Sequence, residues 1–125
     1  MITCLDHIQV AMPPGQEAKA RGFFAGLLGM QEEQKPEILA SRGGCWFRAG
    51  HAILHVGVEK DFIAQTKAHP AFCSTELDAL AKRLAGQGYP VEWDDALPSR
   101  KRFYTHDPFG NRIEIIQDGD GFGQK

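Results

Sequence analysis

Two short runs of this 125-residue chain echo each other, and that echo limits the fold more than any other feature. "LDHIQVAM" (5–12) and "HPAFCS" (69–74) each read as a strand carrying a histidine, and each is followed by a helical pattern. After the first comes "QEAKARGFFAGLLGM" (16–30), with Phe23, Phe24, Leu27 and Leu28 at helical spacing and Gly29 as a stop. After the second comes "TELDALAKRLAGQGY" (75–89), with Leu77, Leu80, Ala81 and Leu84 on one side. Thr75 and Asp78 have capping-box spacing, and Gly86 and Gly88 end the run. Each helix leads to a hairpin. In "GGCWFRAGHAILHVGVE" (43–59) the turn is expected at Ala49-Gly50-His51, and in "KRFYTHDPFGNRIEIIQ" (101–117) within "HDPFGN". "KDFIAQTKA" (60–68) is a polar connector, "PVEW" (90–93) is short and extended, and the tail after Asp118 reads as frayed. The expectation is an α+β fold. One domain, 1–125, consists of two βαβββ modules, about 1–59 and 67–118, that form a curved mixed sheet.

Strand alternation then separates two kinds of residue. The apolar faces are Ile8 and Val10; Leu54, Val56 and Val58; Pro70 and Phe72; Ile113 and Ile115. These should pack on the helices. The opposite, concave face receives His7, His55, His69 and Glu114. Matching the halves sets His7 against His69 and His55 against Glu114, at separations of 48 and 45 residues; the difference is about the extra length of the "MPPG" turn. Three imidazoles and a carboxylate suit a divalent zinc, nickel, cobalt, manganese or ferrous ion. A buried glutamate without a partner is costly, and a metal offsets that cost. Singly, each residue has a plainer role: His55 as a hydrogen-bonded interior residue, Glu114 as the partner of Arg112 or Arg48.

Composition excludes several functions. The chain is 42% hydrophobic and 24% charged, with a net charge of −2, which is ordinary for a globular protein and gives no basic footprint for nucleic acid. No apolar run approaches membrane-spanning length, and no signal peptide is visible, so a cytoplasmic location is expected. Cys4, Cys45 and Cys73 are odd in number and widely spaced; reduced, mostly buried thiols are expected rather than disulfides or a zinc knuckle.

"LDHIQVAM", "LGM", "HPAF" and "DPFGNRIEII" resemble recurring segments of the vicinal oxygen chelate superfamily, which includes glyoxalases, bleomycin-resistance proteins and dioxygenases. The resemblance covers almost the whole chain, and "DPFGNRIE" is its most specific piece. It implies a divalent metal in a cup, with His7, His55, His69 and Glu114 as ligands. Four protein ligands match glyoxalase I and methylmalonyl-CoA epimerase. Extradiol dioxygenases and fosfomycin thiol transferases use three, corresponding to His7, His69 and Glu114. Resemblance to glyoxalase I also implies that Glu114 is the catalytic base.

Alternation adds Gln9, Trp46, Arg48, Arg102 and Tyr104 as candidates for substrate binding, with Phe47 and Phe103 turned to the core. Arg48 and Arg102 suit a carboxylate or phosphate. The tyrosine matching Tyr104 lies near the substrate in fosfomycin-resistance relatives. Cys73 shares a face with His69, His51 sits at a hairpin tip, and "DDALPSR" (94–100) is a loop placed where a lid would be. The expected function is that of a metal-dependent, glyoxalase-like lyase or isomerase acting on a small oxygenated molecule. The alternatives are a ferrous dioxygenase, a fosfomycin-type thiol transferase, or a metal-free drug-sequestering protein. No fosfomycin-type substrate loop is found by pattern between Glu92 and Arg102. Sheet edges left bare are a liability, so a homodimer with Trp46 or Trp93 near its interface is expected.

Overall fold

The computed structural model describes residues 1–119, which fall into two compact units, Met1–Ala64 and a second beginning at Gln65. The tail from position 120 lies outside the described residues. The first unit runs β1 (Ile8–Met12), α1 (Glu17–Ala20, continuing as a π-helical stretch over Arg21–Leu27), β2 (Gln31–Glu33), α2 (Glu37–Ala40), β3 (Cys45–Ala49) and β4 (Ala52–Val58). Its sheet order is β1-β4-β3-β2. The second unit runs β5 (Ala71–Ser74), α3 (Leu77–Gly86), β6 (Glu92–Asp94), β7 (Arg102–His106) and β8 (Arg112–Gln117), with sheet order β5-β8-β7-β6. In each unit the first strand pairs in parallel with the last, and the other pairings are antiparallel. Parallel neighbours need a crossover, which the helix after the first strand begins.

Alternation places the centre of each core, while Ile8, Val10, Val58 and Phe72 of the expected apolar faces are only half-buried. Leu54, Val56 and Phe47 are buried in the first unit, and Phe103, Ile113 and Ile115 in the second. The π-helical stretch, closed by Leu28 N–H donating to Phe23 C=O at 2.9 Å, buries the adjacent Phe23 and Phe24 together. Their rings meet edge to face at 5.0 Å, and Phe24 also packs on Phe47 at 5.5 Å. Gly44 is required where it stands: its φ is +84°, and a Cβ there would lie 2.2 Å from the Val56 carbonyl oxygen.

Several expectations change. His7 lies just ahead of β1 rather than inside it, and His69 likewise precedes β5. Both are therefore free of the ladder and held by local hydrogen bonds. The N-cap of α3 is Glu76, not Thr75, and it carries no side-chain cap. Instead the Ser74 hydroxyl accepts from Glu76 N–H at 3.0 Å, a local turn that displaces the expected box. Only Cys45 is a buried thiol; Cys4 and Cys73 are exposed, since Cys4 precedes β1 and Cys73 lies on the open face of an edge strand. The short strands β2 and β6 each add an outer rung, and α2 is a single turn that the apolar pattern did not reveal.

The two hairpins turn differently. β3 and β4 join through a tight turn with Gly50 at φ +56°. Between β7 and β8, buried Asp107 organises the turn. Its Oδ1 accepts from Phe109 N–H and Asn111 N–H, both at 2.9 Å, and its Oδ2 accepts from Asn111 Nδ2 at 2.8 Å. Asn111 Oδ1 accepts in turn from Gln65 N–H at 3.0 Å. Burial pushes Asp107 above the ordinary aspartate value, opposed by these hydrogen bonds.

Candidate metal centre

The two sheets carry matched rungs. Across the first, Gln9 pairs with His55, His55 with Trp46 and Trp46 with Glu33. Across the second, Ala71 pairs with Glu114, Glu114 with Tyr104 and Tyr104 with Glu92. His7 stands two residues before Gln9, and His69 two before Ala71. The pairing register thus equates His7 with His69, His55 with Glu114 and Trp46 with Tyr104.

In the first unit His7 and His55 stack at 4.1 Å, and His55 stacks on Trp46 at 3.9 Å with the rings within 1° of parallel. His7 Nδ1 meets Asp6 Oδ2 at 2.8 Å. A carboxylate only accepts, so Nδ1 carries the proton, and in the neutral ring Nε2 keeps its lone pair. Burial lowers the pKa of His55, and neighbouring His7 adds to the effect, so His55 favours the neutral form that can act as a metal ligand. These residues line a cavity of about 690 Å³ together with Gln9, Lys35, Arg42 and Arg48. Arg48 Nε donates to Glu33 Oε2 at 3.0 Å, and the Lys35 ammonium donates to the Gly43 carbonyl. Gln9 lies across Gly57, where a Cβ would meet its amide nitrogen at 2.8 Å.

In the second unit His69 Nδ1 lies 2.9 Å from the Lys67 carbonyl oxygen, and His69 Nε2 lies 2.9 Å from Glu114 Oε1. The carbonyl oxygen fixes the proton on Nδ1. In a neutral His69, Nε2 then presents a lone pair to a carboxylate oxygen that presents another. Only a proton or a metal ion between them makes that contact attractive. Both histidines also show the arrangement typical of metal ligands, with the second ring nitrogen bonded to a carboxylate or backbone carbonyl. The donor set therefore fits a divalent ion. Within neither unit, among the described residues, do three His, Cys, Asp or Glu side chains gather as a metal group. Each unit presents a pair.

The other oxygen of Glu114, Oε2, accepts from Arg102 at 3.1 Å. Arg102 also reaches Asp94 Oδ1 at 3.4 Å, and the hydrogen bond to Glu114 raises its pKa above the ordinary arginine value. Tyr104 meets His69 edge to face at 5.4 Å, and Arg112 covers its ring at 3.9 Å. Sequence reasoning missed Asp6, Lys35, Arg42 and Asp94. Asp6 lies ahead of β1, where strand alternation does not predict the direction of a side chain. Asp94 was read as loop, although it is the cross-strand partner of Arg102.

The chain is 47% identical to a glyoxalase family protein from Bacillus anthracis, with 94% of this chain and 96% of that one covered and a TM-score of 0.89. At 19% identity it shares the fold of a lactoylglutathione lyase from Agrobacterium tumefaciens (TM-score 0.68, covering 93% and 95%). It shares it also with a fosfomycin resistance protein from Listeria monocytogenes (19% identity, TM-score 0.71, 94% of each chain). No protein-family profile and no curated protein matches it.

Proposed function

The chain belongs to the glyoxalase family of the vicinal oxygen chelate superfamily, and on that footing we propose that it is a metal-dependent enzyme of lyase or isomerase type. Its substrate is a small oxygenated molecule. The ligands are His7, His55, His69 and Glu114. The observation that carries this reading is the Glu114 Oε1 to His69 Nε2 contact at 2.9 Å, with Nδ1 of His69 already engaged by a carbonyl. A divalent ion bound there supplies Lewis acidity toward the oxygens of the substrate. The chain's own residues do the rest. Glu114 takes and returns a proton at Oε1. Asp6 and the Lys67 carbonyl hold the two histidine rings in the liganding tautomer. Gln9, Trp46 and Tyr104 shape the space beside the ligands, and Arg48 offers a cation to an acidic substrate group.

A second reading has a specific observation in its favour. His55 makes no side-chain hydrogen bond among the described residues and is held between two rings. As a ring-stacking support rather than a ligand, it would leave a two-histidine, one-carboxylate site of the dioxygenase or thiol-transferase kind. Elemental analysis of the purified protein, followed by turnover with each metal on methylglyoxal plus glutathione, catechols and fosfomycin, separates these readings. Stoichiometric metal and isomerisation of the thiohemiacetal are expected. Absence of bound metal at full ligand occupancy would return the chain to the drug-sequestering class. No helix among the described residues is long and apolar enough to cross a membrane. The proposal includes a homodimer, with Trp93, 49% exposed, as the better placed tryptophan for an interface; sedimentation at micromolar concentration tests it.

A further inference from the structure

We infer that Arg102 is a positioning residue for Glu114 rather than an anchor for substrate, acting as the middle of an Asp94–Arg102–Glu114 chain that holds Glu114 Oε1 toward His69. The inference rests on the proposed ligand role of Glu114.

The geometry is specific. Glu114 is 8% exposed in its side chain and Arg102 14%, so neither charge is solvated well enough to stand alone. Arg102 uses one terminal nitrogen on Glu114 Oε2 and the other on Asp94 Oδ1. Its Nε is buried and has no hydrogen-bond partner among the described residues. Both terminal nitrogens of the guanidinium are thus turned to carboxylates within the protein. The direction of the contact matters as much as its existence. Arg102 binds the oxygen of Glu114 that His69 does not face, so it fixes the carboxylate plane and leaves Oε1 toward His69. Asp94, on β6 and directly across from Arg102 on β7, fixes the other end of the fork. A flexible lysine ammonium at this position would neutralise charge without orienting the plane.

Two effects of removing Arg102 have opposite signs, and this makes the inference decidable. An arginine that is only a nearby positive charge repels a divalent cation, so its loss should tighten metal binding. An arginine that positions the carboxylate should weaken binding on removal, by about 10–100-fold for an outer partner of a ligand. The experiment measures Zn²⁺ affinity by competition with a chelating dye on the full chain after metal removal. It compares the parent with Arg102→Met, Arg102→Lys, Asp94→Asn and, as a control on the far side of α3, Arg83→Met. Thermal melting confirms that each is folded. The expected order of affinity is parent and Arg83→Met, then Asp94→Asn, then Arg102→Lys, then Arg102→Met, about 10–100-fold below the parent. Should Arg102→Met fail to fold, Asp94→Asn and Arg102→Lys carry the same test. Unchanged or tighter Zn²⁺ binding in the folded variants overturns the inference and leaves the metal reading intact. A raised KM at parental metal affinity also overturns it, and returns Arg102 to the substrate. A parent that binds no Zn²⁺ removes the metal reading and this inference together.

Discussion

The two units place residues of the same register in opposite electrostatic settings. In the first, His55 sits in a column of flat rings, with His7 on one side and Trp46 on the other, and makes no ion pair among the described residues. In the second, the equivalent Glu114 has a polar partner on each oxygen, His69 on one and Arg102 on the other. The difference follows from what each side chain costs to bury. A neutral imidazole needs only contact and can be held by stacking. A carboxylate loses several kcal/mol of hydration and needs cationic or hydrogen-bonding partners to remain ionised. One backbone plan thus gives one pair tuned by aromatic packing and another tuned by charge.

The sharpest way to break this contrast is Glu114→Gln. It removes the only anionic donor and leaves Arg102 with a neutral neighbour. Turnover should fall by about 10²–10⁴, the usual share of a positioned acid or base, and should not return with excess metal. Recovery with added metal in steady-state assays would reduce Glu114 to a ligand and take away its role as base.

The β3–β4 and β7–β8 hairpins offer the next test. Asp107→Ala removes the acceptor that two backbone N–H groups and the Asn111 amide share in the second unit, three residues or more from Glu114. A loss of about 2–4 kcal/mol in denaturant unfolding is expected. The first unit has no equivalent, since its turn depends on Gly50. The pH sign follows from the raised Asp107 pKa. The folded form holds the Asp107 proton more tightly than the unfolded chain does. This group's contribution to stability is therefore greatest below the ordinary value near 3.8 and declines as pH rises to the raised folded value. In Asp107→Ala that component of the acid-limb slope should vanish.

His55→Ala should weaken metal binding less than Glu114→Gln, on the order of tenfold, because His7, His69 and Glu114 remain. Unchanged affinity in a dye competition would identify His55 as a ring support and move the activity to the three-ligand readings. Asp6→Asn is the mildest variant. Asp6 is exposed, and an asparagine oxygen still accepts from His7 Nδ1. Less than about a tenfold change in metal affinity is expected, the lower edge for an outer partner. An effect as large as that of His55→Ala would show that the ring-stacked pair depends on charge after all.

Much of this architecture was legible in the residues alone, because alternation and helical spacing are local. Phe47, Leu54 and Val56, like Phe103, Ile113 and Ile115, could only be buried together if their strands were extended, and that sends His55 and Glu114 to the other face. The two-module plan followed from the same reasoning, and the cross-strand register gives Gln9–His55 and Ala71–Glu114 the same place in the two sheets. Tertiary structure alone decided which charge meets which. Arg102 faces Ile116 in the ladder yet reaches diagonally to Glu114, a choice set by strand twist and side-chain rotamer rather than by spacing. It also decided that Asp6 and the Lys67 carbonyl, ahead of their strands, fix the two histidine tautomers. Hydrophobic pattern is written along the chain because burial acts on each residue separately. Partnership between polar groups is a property of two positions at once, and no single stretch of sequence carries it.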